Sequence, residues 1–521
     1  MNMKKSIRVY EKGRYTEKEI TYIPVRYILA ILITLIEIVL VMATVFVMAM
    51  YVPYFYIAIL LTVIGIVISI IASNDNPDYK VPWLLFVICV PIVGFMCYFL
   101  FYQRKLSKKF IKRYKTIDES LKVEDSMKHN ELKKEDKLIS SQALELCKIS
   151  GSHLYQNTKV KYYRLGEEMH EEILVELKKA EKFIFLEYFI IEEGLFWNSI
   201  LDILIDKAKS GVEVRVVYDD IGCMATLPGN YHNILKNYDI KEFHFSRLKG
   251  QADNEFNNRS HRKILVVDGK VAFTGGVNIA DEYINEKEVY GHWKDTGIKL
   301  VGEAVNELTK LFLIDFYINT KVEEQDFNKY YVDYGIESES YIIPFGDGPK
   351  PVYEKNVGKI AIMNMLNQAT DYVYITTHYL IIDNELMRTI ENTALRGVDV
   401  RIIVPHIPDK KLVFEMTKSN YQILMKSNVK IYEYKPGFIH AKSYIADGKV
   451  AMIGTINLDY RSLIHYFENG VWLYNDRAIK EMEKDFIETM DKSIYMNDNE
   501  VKEKLVNRFV RAIVRIFSPL L

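Results

Sequence analysis

His261-Arg262-Lys263-Ile264-Leu265-Val266-Val267-Asp268-Gly269-Lys270-Val271-Ala272 returns later as His440-Ala441-Lys442-Ser443-Tyr444-Ile445-Ala446-Asp447-Gly448-Lys449-Val450-Ala451. Both stretches read H-x-K-x-x-x-x-D-G-K-V-A. Each continues at the same spacing to a glycine (Gly275, Gly454) and an asparagine (Asn278, Asn457). Alternating side chains predict a strand starting at each histidine, with His and Lys on one face. Asp-Gly is a favoured centre for a two-residue hairpin, so the chain is expected to return over Lys270–Thr274 and Lys449–Ile453. Asp268 and Asp447 then sit at the turns and on the opposite face, where they hold the hairpins. Gly275 and Gly454 would let the backbone pass close to a bound anion. Asn278 and Asn457 would offer it an amide donor.

Two copies have a chemical use. Attack on a phosphodiester needs a nucleophile and an acid, and one site can draw a histidine for each role from each copy. A neutral imidazole attacks phosphorus in line and forms a phosphohistidine. The other protonates the leaving oxygen, an effect typically worth ~10²–10⁴-fold. Lys263, Lys442 and the two asparagines offset charge on the equatorial oxygens. The scheme calls for no metal and no cofactor, and the chain lacks H-E-x-x-H and paired-cysteine spacings.

Working outward, the hairpins end two similar halves. Phe183-Ile184-Phe185-Leu186-Glu187 is an apolar strand, followed by a helical stretch and then Gly211-Val212-Glu213-Val214-Arg215-Val216-Val217-Tyr218-Asp219. The second half repeats this with Tyr372-Val373-Tyr374-Ile375-Thr376 and Gly397-Val398-Asp399-Val400-Arg401-Ile402-Ile403-Val404. Strand, helix, glycine, strand is a βαβ pattern. The expected fold is α/β: two duplicated lobes, each a mixed sheet flanked by helices, in a pseudo-twofold arrangement that brings both hairpins to one cleft. Glu187, Asp219 and Gly222 fall at strand ends, where they line the site or simply close a strand.

The duplicated motif resembles that of the phospholipase D superfamily. Asn258-Arg259-Ser260-His261, Gly275-Gly276-Val277-Asn278, Trp293-Lys294-Asp295-Thr296, Gly454-Thr455-Ile456-Asn457 and the terminal Phe517-Ser518-Pro519-Leu520-Leu521 are similar to bacterial cardiolipin synthases. The resemblance implies that a carboxylate downstream of each motif orients the other motif's histidine: Glu468 for His261 and Asp295 for His440. It also implies that the first histidine is the nucleophile. Where the family often has Thr-Pro-Tyr, this chain has Thr377-His378-Tyr379. A histidine there either approaches the headgroup pocket or is a tolerated loop replacement. His406 is assigned no role.

The remaining sequence frames these lobes. The 521 residues carry a formal net charge of −1, which gives no global reason to bind nucleic acid. Scattered cysteines suit a reduced, cytoplasmic catalytic part. Residues 1–26 form a basic segment. Apolar runs at 27–50, 54–72 and 81–102 predict an α-helical transmembrane region over 27–103. Basic residues on both flanks leave two or three spans open and place the catalytic part in the cytoplasm. Residues 104–150 read as a charged linker, 151–335 and 336–500 as the lobes, and 501–521 as a basic amphipathic helix suited to a membrane surface.

The resemblance therefore implies a multi-pass cell-membrane enzyme that joins two phosphatidylglycerols into cardiolipin and glycerol on an anionic membrane. A phospholipase D-type hydrolase is the nearest rival and an inert membrane scaffold the non-enzymatic one. No D-G-x-x-A-R pattern supports a nucleotide-dependent route. The oligomeric state is left open.

Overall fold

The computed structural model describes residues 3–11, 14–22, 25–51, 53–73, 76–98, 106–121, 129–246, 258–318, 327–497 and 515–516. Contacts divide the chain into two units, one built on Ile23–Ser107 and one on Lys108–Arg247 with Asn257–Lys502.

In the larger unit the duplication is visible strand by strand. The first sheet runs in the order Thr158–Tyr163, Gly297–Gly302, Val271–Gly275, Ile264–Val267, Phe183–Tyr188, Glu213–Asp219, Lys241–Phe245. The second runs Tyr341–Asp347, Glu468–Tyr474, Val450–Gly454, Ser443–Ala446, Tyr372–Thr376, Asp399–Pro405, Lys430–Tyr434, with Ser493–Tyr495 added at the edge. In each, three strands are parallel, as βαβ crossovers require, and the motif hairpin adds antiparallel beside them. The central strands are buried along their length, matching their near-continuous apolar sequences. The helix Val305–Tyr317 is buried on almost every face and touches strands of both sheets.

Each hairpin turn takes two successive positive φ values, 53° and 68° at Asp268-Gly269 and 52° and 62° at Asp447-Gly448. That geometry matches the twist of the flanking strands. The strands themselves begin later than alternation predicts, at Ile264 and Ser443. Residues 261–263 and 440–442 leave their own sheets and bond across the lobes instead. The His261 N–H donates to the Phe467 carbonyl at 2.8 Å, and the His440 N–H to the Lys294 carbonyl at 2.7 Å. Inter-lobe pairing of this kind leaves no period in the sequence.

The charged segment after residue 104 is not a free linker. Helix Lys108–Ser120 buries Phe110, Tyr114 and Ile117, and helix Lys137–Ser150 buries Ile139, Ala143 and Leu146. Phe110 and Tyr114 pack on Phe467, and Gln142 accepts from the Trp472 indole at 2.7 Å. The apolar stripe at helical spacing is narrow and hidden among lysines.

In the smaller unit the apolar runs are helices Val25–Tyr51, Pro53–Ala72, Pro77–Cys89 and Pro91–Cys97. The third expected run is therefore split at Pro91, which lacks the N–H that would continue the helix. Gly94 packs so closely that a Cβ there would lie 2.5 Å from the Phe86 carbonyl oxygen. Among the described residues no helix is long and apolar enough to cross a membrane. Residues 3–22 of the basic N-terminal segment pair as antiparallel strands Met3–Glu11 and Arg14–Tyr22. The expected C-terminal amphipathic helix lies outside the described residues, apart from Arg515 and Ile516.

Candidate active site

Because the segments cross between lobes, each histidine meets a carboxylate from the opposite half. The Glu468 carboxylate lies 2.9 and 3.0 Å from His261 Nδ1, and Asp295 Oδ2 lies 2.6 Å from His440 Nδ1. Both acids are fully buried. With Nδ1 engaged, Nε2 of each ring is the nitrogen left for chemistry. Ser462 Oγ donates to Glu468 at 2.6 Å, and Thr455 Oγ1 also donates to it. Asp295 is held by the Thr296 N–H at 2.7 Å.

The lysines follow the same plan. Lys263 Nζ donates to the His261 carbonyl at 2.9 Å, and Lys442 Nζ to that of His440. Lys442 Nζ also lies 2.8 Å from His440 Nδ1. Burial governs the protonation of the whole group. It pushes Glu468 up to about 7 and Asp295 up to about 6. It brings Lys263 down to about 7, helped by Lys442, and Lys442 down to about 8. Both imidazoles are held well below their ordinary range, first by burial and then by the two ammonium groups. The resting histidines are therefore neutral, as a nucleophile must be. The charge of His261 is also felt at His440, so the two rings share one electrostatic neighbourhood.

Asp268 and Asp447 stay at the turns. Asp268 accepts the backbone N–H groups of Glu181, Lys182 and Phe183 at 2.7–2.8 Å. Asp447 accepts those of Thr370, Asp371 and Tyr372 at 2.8–2.9 Å. Both tie a hairpin to the start of its neighbouring strand. Burial would raise the Asp447 carboxyl, but these donors more than offset it and hold it below its usual value.

The glycines have a different task from the one expected. A Cβ on Gly275 would sit 2.4 Å from the Thr296 carbonyl oxygen, and one on Gly454 2.3 Å from that of Asn469. They make room for the neighbouring strand. Gly276 is the glycine nearest the chemistry: a Cβ there would lie 2.1 Å from Asp295 Oδ1. Asn278 is also committed, accepting from the Ile190 N–H at 3.2 Å and donating to Tyr283 Oη at 2.7 Å. Asn457 Oδ1, by contrast, is buried with no hydrogen-bond partner among the described residues.

Sequence reading missed the buried arginines. Arg259 forms a bidentate pair with Asp219, at 2.7 Å from NH2 and 2.9 Å from Nε, and Arg262 pairs with Asp315 at 2.8 Å. Asp219 is thus a clamp for the motif segment, and Glu187 accepts from Ser260 Oγ at 2.6 Å. Gly222 lends its N–H to Asp219 at 3.0 Å. The available signal was the crowding of Arg259 and Arg262 around His261 in one short segment. His406 bonds Glu433 at 2.8 Å.

Comparison with known proteins agrees with this geometry. A family profile described as "Cardiolipin synthase, PLD-like domain" matches residues 173–312 and 362–490, one match per lobe. A cardiolipin synthase of Alkalihalophilus pseudofirmus is 34% identical over 88% of this chain and 92% of its own length. The chain belongs to the cardiolipin synthase family. An uncharacterized protein of Streptococcus mutans is 40% identical over 88% of this chain and 100% of its own. A profile described as "Phospholipase_D-nuclease N-terminal" covers residues 57–101. The crystal structure of a phosphatidylserine synthase from Haemophilus influenzae Rd KW20 has the same fold, with a TM-score of 0.57 and 17% identity over 74% of this chain and 100% of that one.

Proposed function

We propose that this enzyme joins two phosphatidylglycerol molecules into cardiolipin and releases glycerol, through a phosphohistidine on His261. The reciprocal pairs His261–Glu468 and His440–Asp295 carry the reading, since each engages Nδ1 of one ring from the opposite lobe and assigns the chemistry to Nε2. In the first step the bond from phosphorus to the glycerol oxygen breaks as the bond to His261 Nε2 forms. His440, protonated in the lipid complex, gives its proton to that oxygen. In the second step the primary hydroxyl of another phosphatidylglycerol attacks phosphorus, returns its proton to His440 and releases His261. A phosphodiester is exchanged for a phosphodiester, so energy input is not demanded.

Charge balance supports the same order. Lys263 and Lys442 offset Glu468 and Asp295 when all four are ionised. The phosphodiester anion then adds one negative charge, which a protonated His440 offsets. Substrate binding and His440 protonation thus favour each other. Asn457 keeps a buried oxygen, unpartnered among the described residues, an acceptor that suits a substrate hydroxyl and not the phosphate.

The helices of the smaller unit are assigned to the membrane. Leu35, Leu40, Phe46, Leu61, Ile68 and Ile71 are each more than half exposed. A continuous apolar surface of this kind needs hydrocarbon around it. We assign the lobes to the cytoplasm from the basic residues after residue 103. Carbonate-washed membranes should retain the protein; release into the soluble fraction would contradict the assignment.

Incubating the purified full-length protein with vesicles of phosphatidylglycerol alone tests the reaction. Cardiolipin and glycerol in equal amounts are expected. Phosphatidic acid as the main product would make the enzyme a hydrolase, and no product would favour a scaffold.

A further inference from the structure

The ring set edge-to-face against the acid–base histidine is itself polar. His378 is 5% exposed and packs on His440 with 4.9 Å between ring centroids, bracketed by Tyr379 and Phe438. Its Nε2 side faces Asp409 Oδ1 at 3.8 Å, and Asp409 is in turn fixed by the Tyr379 hydroxyl at 2.8 Å. Its Nδ1 is buried with no hydrogen-bond partner among the described residues. Trp293, whose ring lies 6.0 Å from His440, likewise has a buried, unpartnered Nε1.

The matching positions around His261 lack this feature. Phe189 replaces His378, at 5.1 Å from His261, and has no polar atom in its side chain. Tyr466 replaces Trp293, at 5.8 Å from His261, and its hydroxyl accepts from Arg461 at 3.2 Å. A buried polar atom without a partner is costly, so it signals a group that is bonded when the site is filled.

We propose that His378 forms the alcohol subsite and hydrogen-bonds a secondary hydroxyl of the glycerol headgroup while His440 manages the reacting one. This rests on the phosphatidyl-transfer reading above. A hydroxyl both donates and accepts, so it suits an imidazole nitrogen in either tautomer. The phosphate is served elsewhere, by Lys263 and Lys442. His440 is itself only 8% exposed, and His378 lies against it at a similar depth.

The test is a competition. Full-length enzyme in phosphatidylglycerol vesicles receives labelled glycerol and labelled 1-propanol together, and the ratio of the two phosphatidyl products is measured. His378→Phe installs the residue of the other lobe and should lower the glycerol-to-propanol ratio about tenfold, the value of one hydrogen bond. His378→Ala should do the same, which guards against misfolding of the bulkier variant. His378→Asn, which keeps a polar atom near the Nδ1 position, should stay within about threefold of wild type. A ratio unchanged in both Phe and Ala variants, whatever their overall rate, would reduce His378 to a packing residue and overturn the proposal. A wild-type enzyme that forms neither product would instead remove the transfer reading on which it stands.

Discussion

In the first lobe the segment that delivers His261 is clamped by ions: Arg259 on Asp219 and Arg262 on Asp315, all four side chains buried. In the second lobe the same positions beside His440 are Phe438 and Ala441, held by packing. The rings laid against the two histidines differ in the opposite sense, Phe189 on His261 and His378 on His440. One lobe thus combines a charged support with an apolar face toward the reaction, and the other an apolar support with a polar face. A nucleophile gains from a dry, fixed setting. A group that serves two alcohols in turn gains from polar neighbours.

The largest expected effects test that division of labour. His261→Ala should remove turnover by a factor on the order of 10⁴ or more, with unchanged thermal unfolding. His440→Ala should cost ~10²–10⁴-fold with phosphatidylglycerol but far less with a nitrophenyl phosphodiester, whose leaving group needs no acid. Equal losses on both substrates in both variants would erase the distinction between the lobes. Next in size is the support. Arg262→Met strands buried Asp315 and should cost about 3–5 kcal/mol in denaturant unfolding, while Phe438→Leu should cost under about 2 kcal/mol. Comparable losses would mean that the clamps are not what separates the halves. Glu468→Gln and Asp295→Asn should each lower kcat about 10²-fold, because each ring loses its orienting anion.

The smallest effect is the pH profile. Glu468 (about 7) and Asp295 (about 6) must lose protons, and Lys263 (about 7) and Lys442 (about 8) must keep them. A carboxyl raised by burial ionises as pH rises through its value. An ammonium lowered by burial loses its charge as pH rises through its own. kcat/KM should therefore climb as pH rises to near 7 and fall beyond it, first through Lys263 and then through Lys442, each limb belonging to coupled groups. Lys263→Arg, which cannot lose its proton there, should move the falling limb upward. A profile flat from pH 6 to 9 would contradict the burial-driven shifts.

Much of the site could be read from the chain because it is duplicated. The hairpin turns, the βαβ pattern of each half and the twin imidazoles all follow from Asp-Gly pairs, apolar runs and a repeated spacing. The cross-lobe carboxylates were legible only through family resemblance, since Glu468 and His261 are joined by folding and not by any local pattern. Two readings failed for the same reason. Gly275 and Gly454 serve strand contacts, and residues 261–263 leave their strand for the other lobe, both consequences of neighbours distant in sequence. Gly276 and Thr455 show the limit well. They occupy matching positions, yet one must have no side chain to admit Asp295, while the other uses its hydroxyl on Glu468.

Trapping the covalent intermediate is the most direct test of the central claim. Short-chain phosphatidylglycerol labelled in the phosphate, quenched with enzyme and mapped by peptide, should place the label on His261, and His440→Ala should retain or increase it. Label on His440, or none on either histidine under conditions of turnover, would contradict the assignment of nucleophile and acid to the two lobes.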